Sequence, residues 1–132
     1  MDFQTNELTQ QVAQTARDFA RRQILPHVME WDESQVFPAD VFRQMGQLGL
    51  MGVLIPEQYG GAGLGYYEYK SIIEEVAKVC GSIGLSLAAH NSLCCGHILY
   101  FGNEEQKKKW ARTAYLNKKA KLEKEKMEKQ NI

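Results

Sequence analysis

Three cysteines and three histidines are the residues of this sequence that could ligate a metal or act as nucleophiles. A zinc site needs convergent Cys and His ligands at short, defined spacings, and the sequence contains no Cys-x-x-Cys pair. Of the histidines, only His90 and His97 could share a helix face with a cysteine. Cys94 and Cys95 are adjacent, which is poor geometry for a disulfide between them. We therefore expect reduced thiols, a reducing compartment and no metal site.

Adjacent carboxylates at Glu74 and Glu75 are the next candidates for chemistry, because a pair of acids can act as general acid and base. General base catalysis requires a positioned and usually desolvated carboxylate. Both residues fall on the polar side of a predicted helix that also carries Glu68, Lys70 and Lys78. We expect them to be solvated and assign no catalytic residue.

A glycine-rich segment at 57–65 contains four glycines within six residues, which predicts a loop. It lacks the Gly-x-x-x-x-Gly-Lys-Ser/Thr pattern and the strand–Gly-x-Gly-x-x-Gly–helix unit that bind phosphates. The segment therefore favours a tight surface bend with positive φ angles over a phosphate site.

Apolar periodicity predicts an all-α fold, with helices at about 5–30, 38–48, 66–80 and 82–102 and a fifth beginning after Asn103. Thr5 is the expected N-cap of the first helix, and Pro26 predicts a kink near Leu25. Residues 31–37 read as a connection, Pro38 suits the first turn of the second helix and Gly49 its end. The apolar run 50–55 has no second strand to pair with, so we expect an extended, buried connector. Gly81 is expected to end the third helix.

The fourth helix is apolar on nearly all sides, which is typical of a membrane span or of a central core helix. Polar residues at mid-depth and the absence of cationic flanks favour the core helix. Its polar side chains should then find hydrogen-bond partners or a cavity, because unpaired buried polar groups are costly. The fifth helix should begin with a capping box in which Asn103 and Gln106 bond reciprocally.

Charge divides the 132-residue chain into two parts. Residues 1–110 carry 9 basic and 13 acidic side chains, whereas residues 111–132 carry 7 and 3. The second part predicts a lysine-rich, solvated helical extension, but its interleaved glutamates argue against binding to nucleic acid or to anionic membranes. No secretory signal or transit peptide is evident at the amino terminus, so we expect a cytoplasmic protein of bacterial type.

Several segments together resemble the amino-terminal helical domain of the acyl-CoA dehydrogenases. They include Ile-Leu-Pro-His-Val-Met-Glu-Trp-Asp at 24–32, Pro-Glu-Gln-Tyr-Gly-Gly at 56–61, Leu-Ala-Ala-His-Asn-Ser-Leu-Cys at 87–94 and Gly-Asn-Glu-Glu-Gln-Lys at 102–107. The resemblance covers roughly residues 1–110 and implies an orthogonal bundle of about five helices, with 111–132 as a tail outside the domain.

The resemblance implies a flavoenzyme that oxidises the Cα–Cβ bond of an acyl-CoA thioester, with a glutamate as base and FAD as hydride acceptor. In that family the amino-terminal helices form one wall of the acyl-chain cavity. By position, six side chains would supply the wall here; we call them the wall residues, and they are Ser86, Ala89, His90, Leu93, Cys94 and His97. The alternative, most evident for Leu93 and His97, is that these residues only pack against neighbouring helices.

The chain departs from the family after Trp110, where Ala111-Arg112 stands in place of Leu-Pro and the lysine-rich tail follows. The flavin-binding segment and the catalytic glutamate of the family would lie beyond this point. We therefore expect a truncated or split dehydrogenase that binds no FAD and is inactive alone. Two alternatives remain open: a non-catalytic helical interaction or scaffolding module, and an artificial chain with a replaced tail. In each case an exposed apolar wall could drive self-association.

Overall fold

A computed structural model describes residues 6–111, and this part of the chain contains helices and turns but no strand. The predicted all-α fold is thus confirmed over that range. The predictions for residues 112–132 lie outside the described residues. Within the described range, no helix is long and apolar enough to cross a membrane.

Helix α1 (Glu7–Phe19) begins at Asn6, whose side chain accepts a hydrogen bond from the Thr9 amide at 2.7 Å. The N-cap is therefore Asn6 and not the predicted Thr5, because an amide oxygen at this position satisfies a free N–H of the first turn. The helix continues through a π-helical turn (Ala20–Ile24) into a 3-10 turn (Leu25–His27) that contains Pro26. The predicted break near Leu25 is confirmed.

Helices α2 (Val28–Ser34) and α3 (Ala39–Gln47) follow, so the prediction that Trp31 belongs to a connection was wrong. Pro26 lies in the first turn of the 3-10 helix, which its fixed φ suits, and α2 then runs to Ser34, where the left-handed φ of 54° at the C-cap residue Gln35 ends it. Pro38 precedes α3 and does not lie in its first turn. Gly49, with φ 80°, ends α3 as predicted.

The connector at 50–55 is buried as expected, but it consists of turns and is not extended. It has a partner that the sequence did not reveal, the glycine-rich loop. The amides of Ala62, Gly63 and Leu64 each donate to a carbonyl of the connector at 2.9 Å. Gly61 is needed for this approach, because a Cβ there would lie 2.0 Å from the carbonyl oxygen of Ile55. The expected positive φ angles occur at Gly60 and Gly63.

Helix α4 (Tyr66–Val79) lies between α1 and α5 (Gly81–Ala88). Gly81 is the first residue of α5, which corrects its predicted role as the end of the preceding helix; the extended backbone of Cys80 separates the two helices. Gly84 allows close packing, because a Cβ there would lie 2.7 Å from the Ala77 Cβ. These helices enclose the main core, which includes the fully buried side chains of Ile24, Met45, Val53, Ile72, Val76 and Leu87.

Helix α5 continues through a π-helical segment (Ala89–Cys94) into α6 (Cys95–Phe101). Within the described chain this long helix is a core helix on one side only, and its other side carries the exposed apolar groups that were expected. One side packs into the core through Ile83, Leu87 and Cys95, whereas Leu85 and Phe101 are 72% and 83% exposed. Nothing within residues 6–111 covers the second side.

The short helix α7 (Glu104–Gln106) begins with the predicted capping box, in which Asn103 and Gln106 exchange hydrogen bonds of 2.9 and 3.0 Å. Glu104, the first residue of α7, also contacts the segment at 56–61, so two of the segments that carry the family resemblance meet here. The Tyr59 hydroxyl, in a 3-10 turn (Glu57–Tyr59), donates to the Glu104 carboxylate at 2.9 Å. This bond attaches the glycine-rich loop to the start of α7, which follows the long helix.

Candidate functional site

Two different rows of side chains run along the helix formed by α5, the π-helical segment and α6. The inner row recurs every four residues and consists of Ile83, Leu87, Asn91 and Cys95, all buried. In a straight α-helix a four-residue repeat drifts by about 40° per step, so it leaves the core after a few turns. The π-helical segment has more residues per turn, and its amide bonds reach five residues back, as the Cys95 amide does to the His90 carbonyl. The segment therefore keeps the inner row facing the core.

The wall residues form the outer row at spacings of three and four. Ser86, Ala89 and His90 are half-buried, and Leu93, Cys94 and His97 are exposed, with Leu93 at 63%. The hydroxyl of Ser86 donates to the Ser82 carbonyl at 3.0 Å, and the His97 Nδ1 atom contacts the Leu93 carbonyl. The outer row thus combines small or apolar groups with two histidines, and the polar atoms of Ser86, His90 and His97 contact groups of their own helix.

His90 is the wall residue with the closest contact to a second potentially reactive group. Its Nε2 atom lies 3.5 Å from the Cys95 Sγ. Burial lowers the pKa of the His90 imidazole, although a backbone hydrogen bond with Met51 acts in the opposite direction. Burial, and to a lesser extent the neighbouring Cys94, raises the pKa of the Cys95 thiol to about 11. Both groups are therefore neutral near pH 7, whereas a reactive cysteine needs a depressed pKa.

Asn91 is the residue that the sequence reasoning did not single out as functional. Its side chain is 1% exposed and makes three hydrogen bonds. It accepts from the Val53 amide at 3.0 Å and donates to the carbonyls of Leu50 and Leu87 at 2.9 and 3.1 Å. The available signal was its position in the apolar row that repeats every four residues, where a polar side chain must be held by specific partners.

Glu75 corrects the prediction that both adjacent carboxylates are solvated. It is buried between α1 and α4, where the Arg17 guanidinium donates two hydrogen bonds of 2.9 and 3.1 Å and Lys78 Nζ lies at 2.8 Å. Hydrogen bonding to Arg17, followed by the contribution of Lys78, lowers the pKa of Glu75 to about 2 despite its burial. A carboxylate held this firmly in its ionised, paired form is a weak base. Glu74 is exposed, as expected.

Glu68 is a second carboxylate of the polar face that proves to be buried. It accepts a 2.5 Å hydrogen bond from the Thr9 hydroxyl and a 3.1 Å bond from the Gly65 amide. The hydrogen bond from Thr9 is the main cause that lowers the pKa of Glu68. Its contacts join the amino-terminal ends of α1 and α4, which is a structural role.

No prepared site for a metal or a cofactor emerges from the described range. Residues 6–111 contain no cluster of three or more Cys, His, Asp or Glu that could hold a metal ion. Every buried side-chain nitrogen or oxygen in that range has a hydrogen-bond partner within the protein. A groove of about 370 Å³ lies between α1 and α4, but its charged groups Arg17, Lys70, Glu74 and Glu75 are paired with one another or with Lys78.

Comparison with known proteins gives one consistent result. A family model described as acyl-CoA dehydrogenase, N-terminal domain, matches residues 6–115. The probable acyl-CoA dehydrogenase YngJ of Bacillus subtilis is 46% identical over 107 residues, which cover 81% of this chain and 28% of that protein. The human mitochondrial short-chain specific acyl-CoA dehydrogenase is 42% identical over 104 residues, which cover 79% of this chain and 25% of the human protein.

Solved structures agree with these sequence relatives. Butyryl-CoA dehydrogenase from Megasphaera elsdenii matches with a TM-score of 0.79 at 31% identity, over 85% of this chain and 30% of that chain. A chain from a structural study of the electron transferring flavoprotein of Acidaminococcus fermentans matches with a TM-score of 0.81 at 38% identity. The present chain spans between a quarter and a third of the length of these relatives. It belongs to the acyl-CoA dehydrogenase family, of which it represents the N-terminal helical domain.

Proposed function

We propose that this chain forms the N-terminal part of an acyl-CoA dehydrogenase and supplies one wall of its acyl-chain cavity through the six wall residues. The observation that carries the proposal is the outer row itself. Small or apolar side chains and two histidines stand at helical spacing on a helix that is otherwise anchored in the core, and Leu93, Cys94 and His97 are exposed within the described range. A surface of this kind suits an alkyl chain, which binds by burial and shape and not by hydrogen bonds.

The activity of the complete protein would be α,β-dehydrogenation of an acyl-CoA thioester. The side chains of this chain would act on the acyl group by contact alone. Ala89 leaves room along the helix, Leu93 adds apolar surface, and the neutral imidazole of His90 avoids the cost of a charge beside a hydrocarbon. Together they would exclude water from the chain of the substrate.

FAD, which accepts the hydride in this family, finds no fitting residues within the described range. Every buried polar side-chain atom there already has a protein partner, and the charged side chains that line the groove between α1 and α4 are paired with one another or with Lys78. We therefore assign no flavin contact to this chain and propose that it is inactive without the remaining part of a dehydrogenase.

A chimera tests the proposal. Residues 6–110 of this chain would replace the matching segment of the human short-chain specific dehydrogenase, and reduction of an artificial electron acceptor would be followed with butyryl-CoA. We expect a flavin-loaded chimera that turns over, and a colourless 132-residue chain with a blank rate. A folded, flavin-loaded chimera without turnover would contradict the wall assignment. Stoichiometric FAD on the chain alone would contradict its inactivity.

A helical interaction module is the second candidate, favoured by the exposed aromatic side chains near the end of α6. Tyr100 and Phe101 are both largely exposed and continue the apolar surface of Leu93. Such a surface promotes association in an isolated domain. Sedimentation velocity of the full chain should show oligomers that Phe101→Ser reduces. A monomer at every concentration would argue against association through this surface.

A further inference from the structure

We propose that Asn91 is a positioning residue for the acyl-chain wall. It is expected to hold the π-helical segment against the connector and so to fix which side chains of the long helix face outward. The inference rests on the proposed function for its purpose, because only a wall that contacts substrate needs a fixed register. The geometry that Asn91 is proposed to fix lies within this chain alone and can be measured without substrate.

The hydrogen bonds of Asn91 join the π-helical segment to two backbone groups of the connector, next to the hydrogen bond between His90 and the Met51 backbone. Its amide nitrogen bonds the Leu87 carbonyl one turn back on its own helix and the Leu50 carbonyl of the connector, while its oxygen bonds the Val53 amide. One side chain therefore satisfies three buried backbone groups. Removal of the side chain deprives the buried Val53 amide and Leu50 carbonyl of the hydrogen bonds that Asn91 supplies, which is costly.

Further side-chain donors support the same segment. The carbonyl of Ala88 receives hydrogen bonds from the Ser92 hydroxyl at 2.7 Å and from the Tyr69 hydroxyl of α4 at 3.2 Å. Side chains thus serve two successive carbonyls, Leu87 and Ala88, at the point where the helix changes to π geometry. Asn91 is the one among these donors that also reaches the connector.

Loss of the π-helical geometry would have a specific consequence. If the π-helical segment became a regular α-helix, the register would shift by one residue. The side chains after the segment would then be rotated by about 100° about the helix axis relative to those before it. Leu93, Cys94 and His97 would then leave the row of Ser86 and Ala89. The adjacent cysteines report this rotation, because Cys94 is exposed and Cys95 is 1% exposed in the present register.

Thiol labelling of the full 132-residue chain tests the proposal. Wild type, Asn91→Ala and the control Leu87→Ala would be treated with N-ethylmaleimide under native conditions, and each cysteine would be quantified by peptide mass spectrometry. Leu87 lies one turn earlier in the same inner row and is fully buried, so Leu87→Ala destabilises the core without removing these side-chain hydrogen bonds. Urea would bring the two variants to equal global stability, and Cys80 serves as the internal reference.

At equal stability, we expect Asn91→Ala to raise the Cys95-to-Cys80 labelling ratio at least about tenfold above that of Leu87→Ala, because its opening is local. Equal ratios in the two variants would overturn the positioning role.

If Asn91→Ala does not fold, amide hydrogen exchange of the wild-type chain decides. The Val53 amide should exchange as slowly as core amides of α4, and exchange as fast as that of exposed Gln58 would overturn the proposal. Neither thiol labelling nor hydrogen exchange involves acyl-CoA. A failure of the role proposed for Asn91 can therefore be distinguished from a failure of the proposed acyl-chain wall.

Discussion

The contact between α1 and α4 and the outer row of the long helix are opposite kinds of surface in one small domain. Between α1 and α4, every buried charged or polar group is matched: Glu75 with Arg17 and Lys78, and Glu68 with Thr9. Along the outer row, apolar groups such as Leu93 remain uncovered by residues 6–111. Within residues 6–111 the first surface is complete, and the second is left uncovered.

Under the proposed function, this difference separates structural from functional residues better than residue type does. Carboxylates are the usual candidates for catalysis, yet those of α4 that are buried hold the fold together. Alanine and leucine are the usual core residues, yet those of the outer row lie where a substrate or another part of a dehydrogenase can contact them. An exposed apolar surface next to a satisfied polar interior indicates where the domain meets its partner or ligand.

The largest expected difference in unfolding free energy is between the substitution of a core residue and that of a wall residue. Ile72→Ala removes a fully buried side chain and should lower the free energy of unfolding by about 2–5 kcal/mol. Leu93→Ala should change it by less than about 0.5 kcal/mol, because Leu93 buries little surface in this chain. Urea unfolding followed by circular dichroism measures both. A similar loss in the two variants would mean that the outer row is covered within the chain.

Glu75→Gln should have the next largest effect, because it leaves Arg17 without its charged partner and removes the contact with Lys78. We expect a loss of about 2 kcal/mol, below the value for a fully buried pair since Arg17 is partly solvated. The matched control is Glu74→Gln, whose exposed pairs with Lys70 and Lys78 contribute much less. Equal losses in the same urea titration would contradict the distinction between the two neighbouring carboxylates.

The pH dependence of stability should give a smaller but more specific effect. The pKa of Glu75 is about 2 in the folded chain and near 4.5 when unfolded, so the unfolded state takes up its proton first as the pH falls. The stability from Glu75 is complete above pH 4.5 and is lost as the pH falls toward 2. Between these values the unfolding free energy of wild type should fall more steeply than that of Glu75→Gln. Parallel curves would show that Glu75 is not paired in solution.

The sequence predicted much of the helical framework because periodicity, prolines and caps act locally. The break at Pro26, the end of α3 at Gly49 and the capping box at Asn103 each depend on residues within one or two turns. The failures concerned contacts between distant segments. Burial of Glu75 depends on Arg17, 58 residues away, and the connector finds its partner only when the glycine-rich loop folds back.

In the candidate site, too, local features could be predicted from the sequence and contacts between distant segments could not. Helical spacing placed the wall residues in one row, and the family resemblance gave the row a role. The exposure of Leu93 and the π-helical segment could not be foreseen from spacing, since a straight helix carries the four-residue repeat away from the core. Asn91 is decisive only once the connector is known to lie against it.

The acyl-chain preference of the chimera with the human short-chain dehydrogenase tests the central claim most directly. Ala89→Phe would narrow the acyl-chain cavity at the proposed wall. The control Ala39→Phe makes the same substitution at an exposed residue at the start of α3. If the outer row lines the cavity, Ala89→Phe lowers kcat/KM for hexanoyl-CoA relative to butyryl-CoA by at least about tenfold, the effect of a lost methylene site or two. Ala39→Phe leaves the ratio unchanged. An unchanged ratio in a folded, flavin-loaded Ala89→Phe chimera would contradict the assignment of this face as the wall.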